Sequence, residues 1–140
     1  MSKKKVLILC TGNSCRSQMA EVLWRDLGGD SWDAYSAGSK PAGYVHPLAL
    51  KSITEMGLST DGLTSKNMDS FVTQDIDLVV TVCNNAKEAC PAIPGAQETL
   101  HWPFEDPADA TGTEQEQWST FLRIRDEIKD KISNYLTGQC

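Results

Sequence analysis

Five cysteines in a chain of 140 residues are the side chains with the most chemistry to offer. One of them opens the run Cys10-Thr-Gly-Asn-Ser-Cys-Arg16, which sets a cysteine and an arginine at the two ends of a short polar loop. An apolar, β-branched stretch, Lys4 to Cys10, precedes it, and an amphipathic helical pattern, Ser17 to Leu27, follows. Between a strand and a helix, successive backbone N–H groups can wrap into a nest that holds an oxyanion. The helix adds the positive end of its dipole, and Arg16 offers a planar fork to two of the anion's oxygens. The same positive surroundings keep Cys10 as thiolate, the nucleophilic form. Thr11, Gly12, Asn13, Ser14, Cys15, Arg16 and Ser17 are therefore the expected substrate-binding set. Ser17 can hydrogen-bond the Cys10 thiolate or cap the helix, and the two roles are compatible.

The remaining cysteines need a reason to be there. Nothing in the sequence reads as a secretory leader or a membrane span, since Val6 to Leu9 is far shorter than either requires. The protein is expected in the cytoplasm, where thiols stay reduced unless their oxidation has a use. An odd count suits no static disulfide framework. With only two histidines, His46 and His101, the spacings Cys10-x4-Cys15 and Cys83-x6-Cys90 do not read as a zinc set. Nucleophilic or redox chemistry is what remains.

The elements that must position these groups are legible. Strands are expected at Lys4–Cys10, Trp32–Ala37, Asp77–Val82 and Glu98–His101, and helices at Ser17–Leu27, His46–Met56 and Thr113–Leu136, with a short one over 67–73. This α/β alternation predicts one domain over residues 1–140, a parallel sheet flanked by helices on both faces. Ligands in such sheets bind beyond the C-terminal strand ends, and Cys10 and Cys83 both fall there. Hydrophobic residues make up 40% and charged residues 23%, enough for a packed core. The net charge of −6 argues against nucleic acid as a partner. Trp24, Trp32 and Trp118 read as core or boundary aromatics, and His101-Trp102 as packing at a strand end. Asp109, Glu114 and Glu116 read as a solvated face.

Cys10 to Glu21, Cys-Thr-Gly-Asn-Ser-Cys-Arg-Ser-Gln-Met-Ala-Glu, resembles the loop and first helix of the thioredoxin-coupled arsenate reductases. The likeness continues at Tyr35-Ser-Ala-Gly38, Asp77 to Thr81, Cys83, Cys90, His101-Trp102, Asp106-Pro107-Ala108 and Phe121 to Ile128. It implies the low-molecular-weight tyrosine phosphatase fold, with a four-stranded parallel sheet. It also implies a chemistry. Cys10 attacks arsenate while Asp106, held by Pro107, protonates the departing oxygen. Cys83 attacks Cys10 and arsenite leaves, Cys90 attacks Cys83, and thioredoxin reduces the Cys83–Cys90 disulfide. No bound cofactor is implied, the partners are arsenate and thioredoxin, with glutaredoxin and glutathione the alternative reductant, and a monomer that binds no nucleic acid or membrane is expected. Cys15 and Cys140 are bystanders in this scheme. Ala108-Asp109-Ala110 offers no aromatic platform and favours a small inorganic anion over an aryl ester. Two alternatives stay open: a phosphatase using Cys10, Arg16 and Asp106 alone, and a non-catalytic oxyanion or redox sensor. Part of the family holds a monovalent cation beneath the loop, and Asn13, Glu21 and Ser36 match its ligands. The fourth ligand, an acid after Thr-Ser, is Lys66 here, and two readings stay open: its ammonium replaces the cation, pairing with Glu21 and buttressing Asn13, or it is simply solvated. No metal is then expected.

Overall fold

A computed structural model of the chain describes residues 3–71, 74–82 and 96–138. Cys83, Cys90 and Cys140 lie outside the described residues. The four expected strands form one parallel sheet: β1 (Lys4–Cys10), β2 (Trp32–Gly38), β3 (Leu78–Thr81) and β4 (Glu98–His101). Their order is β2-β1-β3-β4, so the chain leaves β1 first to one side and then to the other. The sheet's switch point, and hence its crevice, is at the C-terminal end of β1. Cys10 is the last residue there, level with Gly38 on β2.

β1 is buried on both faces, which is why it reads as a continuous apolar run. Val6 and Ile8 pack beneath α1 (Arg16–Gly28), α2 (Pro47–Glu55) and α3 (Glu114–Leu136). Leu7 and Leu9 pack on the other face against Phe71 of the helical turn Met68–Phe71 and against Ile76. Trp24 is the largest fully buried side chain. It stacks on Trp102 at 5.8 Å and meets the edge of Trp32 at 5.3 Å, so two of the expected aromatics fasten α1 to the sheet.

The helix ends follow local rules with one exception. Thr113 caps α3 in a full capping box with Glu116, so that residue does more than face solvent. At α2 the cap is His46, whose ring nitrogen Nδ1 accepts from Leu48 N at 3.1 Å. Arg125 of α3 reaches back to α2, donating to Ser52 O and Glu55 Oε1. The exception is α1, which starts one residue early at Arg16. Its N-cap is Cys15, which makes no side-chain capping hydrogen bond, and there is no acid in the first turn. Ser17 is therefore inside the helix and is not its cap.

Gly38 closes the gap between β2 and the loop after β1. A methyl group there would collide with Thr11 O and sit 3.0 Å from Cys10 O. At Gly12 the nearest atoms to such a methyl are at 3.9 Å, an ordinary contact. Gly38→Ala should accordingly lower stability by about 1–3 kcal/mol, and Gly12→Ala by much less. Thermal unfolding of the two variants checks this, and equal losses would contradict it.

Candidate active site

The residues from Cys10 to Arg16 wrap around a cavity of about 210 Å³, completed by Asp106. What gives the loop its shape is where its carbonyls go. Thr11 O accepts from Lys40 N (3.0 Å), Gly12 O from Ala42 N (2.8 Å) and Ser14 O from His46 N (3.0 Å). Asn13 O accepts from Gln18 Nε2 at 2.9 Å. With no cis peptide bond among the described residues, a carbonyl drawn outward turns the N–H of the next residue inward. The N–H groups of Gly12, Asn13, Ser14 and Cys15 are thus presented to the cavity, as an anion nest requires. Asn13 makes the turn with φ 48°, the one positive φ of a non-glycine among the described residues. Its side chain is held three ways: Nδ2 donates to Ser17 Oγ, and Oδ1 accepts from Lys66 N and Gln18 Nε2.

Cys10 lies at the cavity floor, 4% exposed. Arg16 is equally buried and is steadied by the segments that follow β3 and β4. Its Nη1 donates to Phe104 O at 3.1 Å and to Val82 O at 3.5 Å, and Nη2 lies 3.5 Å from Asp106 Oδ2. Asp106 caps the turn Pro107–Asp109 by accepting from Ala108 N through Oδ1. The proline after it begins that turn, so one carboxylate oxygen is fixed and the other faces Arg16. Cys15 also lines the cavity, but burial, with added repulsion from Asp106 and Cys10, pushes its thiol up to about 12. A thiol so shifted stays protonated at neutral pH, the form that is a poor nucleophile.

Comparison with known proteins places this geometry. Residues 5–139 match the low molecular weight phosphotyrosine protein phosphatase family. Among similar sequences, arsenate reductase of Halalkalibacterium halodurans is 48% identical over 135 residues, covering 96% of each chain. Arsenate reductase of Bacillus subtilis is 44% identical, again over 96% of each. The chain belongs to the arsenate reductases of the low molecular weight phosphatase family. An arsenate reductase solved in a phosphate-binding state superposes with a TM-score of 0.81, at 29% identity over 98% of this chain and 99% of that one. A thioredoxin-dependent arsenate reductase from Corynebacterium glutamicum gives 0.74 at 28% identity, over 98% of this chain and 62% of that one.

The cation site that part of the family carries is differently furnished in this arsenate reductase family member. Glu21 is buried, and its Oε1 accepts from Ser36 Oγ at 2.6 Å and lies 3.7 Å from Lys66 Nζ. Its Oε2 pairs with Arg25 Nη2 at 2.8 Å. Two protein cations already face this carboxylate, so the residues do not suit a monovalent metal ion. Lys66 pairs with Glu21 as its sequence position suggested, but it buttresses Asn13 through its main-chain N–H; its ammonium donates to Thr64 O. Arg25 escaped the sequence reading, although its spacing of four from Glu21 on one helix was the signal. Gln18 and the carbonyl anchors in residues 40–46 were also missed, since backbone amides leave no mark in residue type.

Replacing sodium by potassium should leave arsenate turnover unchanged within about twofold, because both oxygens of Glu21 are already engaged. A clear rise with potassium in a steady-state assay would show that the metal finds a place after all.

Proposed function

We propose that this chain reduces arsenate to arsenite in the cytoplasm, with Cys10 as nucleophile and electrons supplied by thioredoxin through Cys83 and Cys90. The observation that carries the reading is the orientation of the loop. The carbonyls of Thr11, Gly12, Asn13 and Ser14 are engaged by residues 40–46 and Gln18, which turns the N–H groups that follow them toward the cavity beside Cys10 and suits that cavity to one small tetrahedral oxyanion. Arg16 closes the ring, and Asp106 stands beside it as the acid.

The steps balance. The Cys10 sulfur bonds to arsenic, and one hydroxyl of the hydrogen arsenate leaves as water, taking the proton that Asp106 delivers. Ser17, whose oxygen accepts from Asn13, has its own proton to offer the Cys10 thiolate. The Cys83 thiolate then attacks the Cys10 sulfur. The electron pair of the sulfur–arsenic bond passes to arsenic, which leaves as arsenite, and a Cys10–Cys83 disulfide remains. Cys90 attacks Cys83, freeing Cys10, and thioredoxin reduces the Cys83–Cys90 disulfide. Support for the approach of Cys83 comes from Val82, the residue before it, which donates to Leu9 O at 2.9 Å and whose carbonyl faces Arg16. Phosphate and arsenate are near-isosteric, so the loop alone does not choose between them. The choice comes from the redox step, which phosphate does not undergo.

NADPH oxidation with thioredoxin and thioredoxin reductase tests the scheme. Arsenate-dependent turnover is expected in the wild type, and its loss in Cys83→Ser and Cys90→Ser. Asp106→Asn should lower it by about 10²-fold or more. Turnover that survives Cys83→Ser would remove the relay. Hydrolysis of an aryl phosphate by wild type and Cys83→Ser alike, with no arsenate turnover, would make the chain a phosphatase.

A further inference from the structure

Of the four outward carbonyls in the loop, those of Thr11, Gly12 and Ser14 are held by main-chain amides, while Asn13 O is held by a side chain. We propose that Gln18 is a positioning residue for the oxyanion site, whose carboxamide locks Asn13 in its left-handed conformation and so aims the N–H groups that follow. The proposal rests on the reading that this loop takes the oxyanion and that Cys10 is its nucleophile.

Gln18 is 1% exposed. Its Nε2 donates to Asn13 O at 2.9 Å, to Asn13 Oδ1 at 3.0 Å and to Thr64 O at 2.7 Å. Two hydrogens meet three acceptors, so one is shared between the two oxygens of Asn13. Turning the amide over would set Oε1 against the same three oxygens, which fixes its orientation. One group thereby grips both the peptide and the side chain of the residue that makes the turn, and ties them to the segment 64–66. That segment holds the loop again through Lys66 N to Asn13 Oδ1 and Ser65 Oγ to Gly12 O.

The position of Gln18 in the helix adds a second reason. Counting from the N-cap Cys15, it is the third residue of α1. A glutamine there ordinarily reaches back to the N–H of the N-cap residue and completes a capping box. Here it reaches two residues further, to Asn13. The N–H groups of the loop and first turn are left to a ligand, and the rigid helix that supplies the dipole also sets the loop's curvature. Glu21 on the same helix and Lys66 on the segment 64–66 are the charged groups bordering this network.

The test uses the full chain with inorganic phosphate as probe. Protection of Cys10 from iodoacetamide, assigned to the residue by peptide mass spectrometry, reports anion affinity. The pH profile of the unprotected rate reports the acidity of Cys10. Gln18→Met keeps the length and loses both donors, and Gln18→Glu keeps the shape and turns donors into acceptors. Each should weaken phosphate protection about tenfold or more and shift the alkylation profile to higher pH. Unchanged protection and profile in Gln18→Met, whatever its melting temperature, would overturn the proposal, because the carboxamide would then serve packing alone. If Gln18→Met does not fold, the same readings on Gln18→Glu decide. Failure of phosphate to protect Cys10 in the wild type would count against the loop reading itself, and is told apart by that control.

Discussion

A loop with four successive carbonyls, Thr11 to Ser14, drawn out of it is not a conformation that a chain adopts alone. The left-handed turn at Asn13 costs on the order of 1–2 kcal/mol, and converging N–H dipoles repel one another until an anion arrives. The protein meets that cost with hydrogen bonds from outside the loop, each contributing about 1 kcal/mol. They come from three places far apart in sequence: residues 40–46, residues 64–66 and the first turn of α1. The site therefore exists only once β1 and β2 are paired and α1 is docked. Gly38 shows how tight this dependence is, since its missing side chain is the space through which the sheet reaches the loop. Fold and site are one construction.

The same arrangement explains how a chain with net charge −6 offers a site for anions. Long-range charge is screened over about 10 Å in ordinary salt, whereas N–H groups and a buried guanidinium act at contact distance. Two charge systems are kept apart within α1. Arg16 at the helix start is shared among Val82 O, Phe104 O and Asp106, all at the crevice. One turn later Glu21 points away from the cavity and is matched by Arg25, Ser36 and Lys66. Leaving either buried charge without partners would cost several kcal/mol. Because Glu21 is matched locally, its negative charge does not oppose an oxyanion bound on the other side of Asn13.

Much of this was readable in advance, for a physical reason. The strands are short apolar runs buried on both faces, and the loop carries its chemistry in residue types, so Cys10, Arg16 and Asp106 stood out and the structure brings them around one cavity. What stayed hidden is backbone and long-range. Lys40, Ala42 and His46 act through main-chain amides, to which their side chains are irrelevant. Lys66 was noticed for its ammonium, yet its N–H supports Asn13. Ser17 has the look of a cap but is the second residue of the helix, since the demand for exposed N–H groups outweighs the usual preference at that end. Cys83 and Cys90 lie beyond the described residues, and their part in the chemistry rests on the likeness of sequence and the position of Val82.

Cys15 makes the same point from another side. An N-cap is normally serine, threonine, aspartate or asparagine, whose oxygen takes one of the free N–H groups of the first turn, and losing such a cap costs about 1 kcal/mol. Any of those residues at position 15 would spend on itself a donor that the oxyanion needs. A thiol is a weak acceptor and leaves the helix end open. Burial then holds this thiol protonated, up near 12, so it adds neither a competing negative charge nor a second nucleophile beside Cys10. The lost capping energy is recovered by packing, for α1 is buried on every side from Arg16 through Trp24. A helix so firmly held by its neighbours can leave its first turn unsatisfied, and it is the unsatisfied turn that gives the loop its hold on an anion.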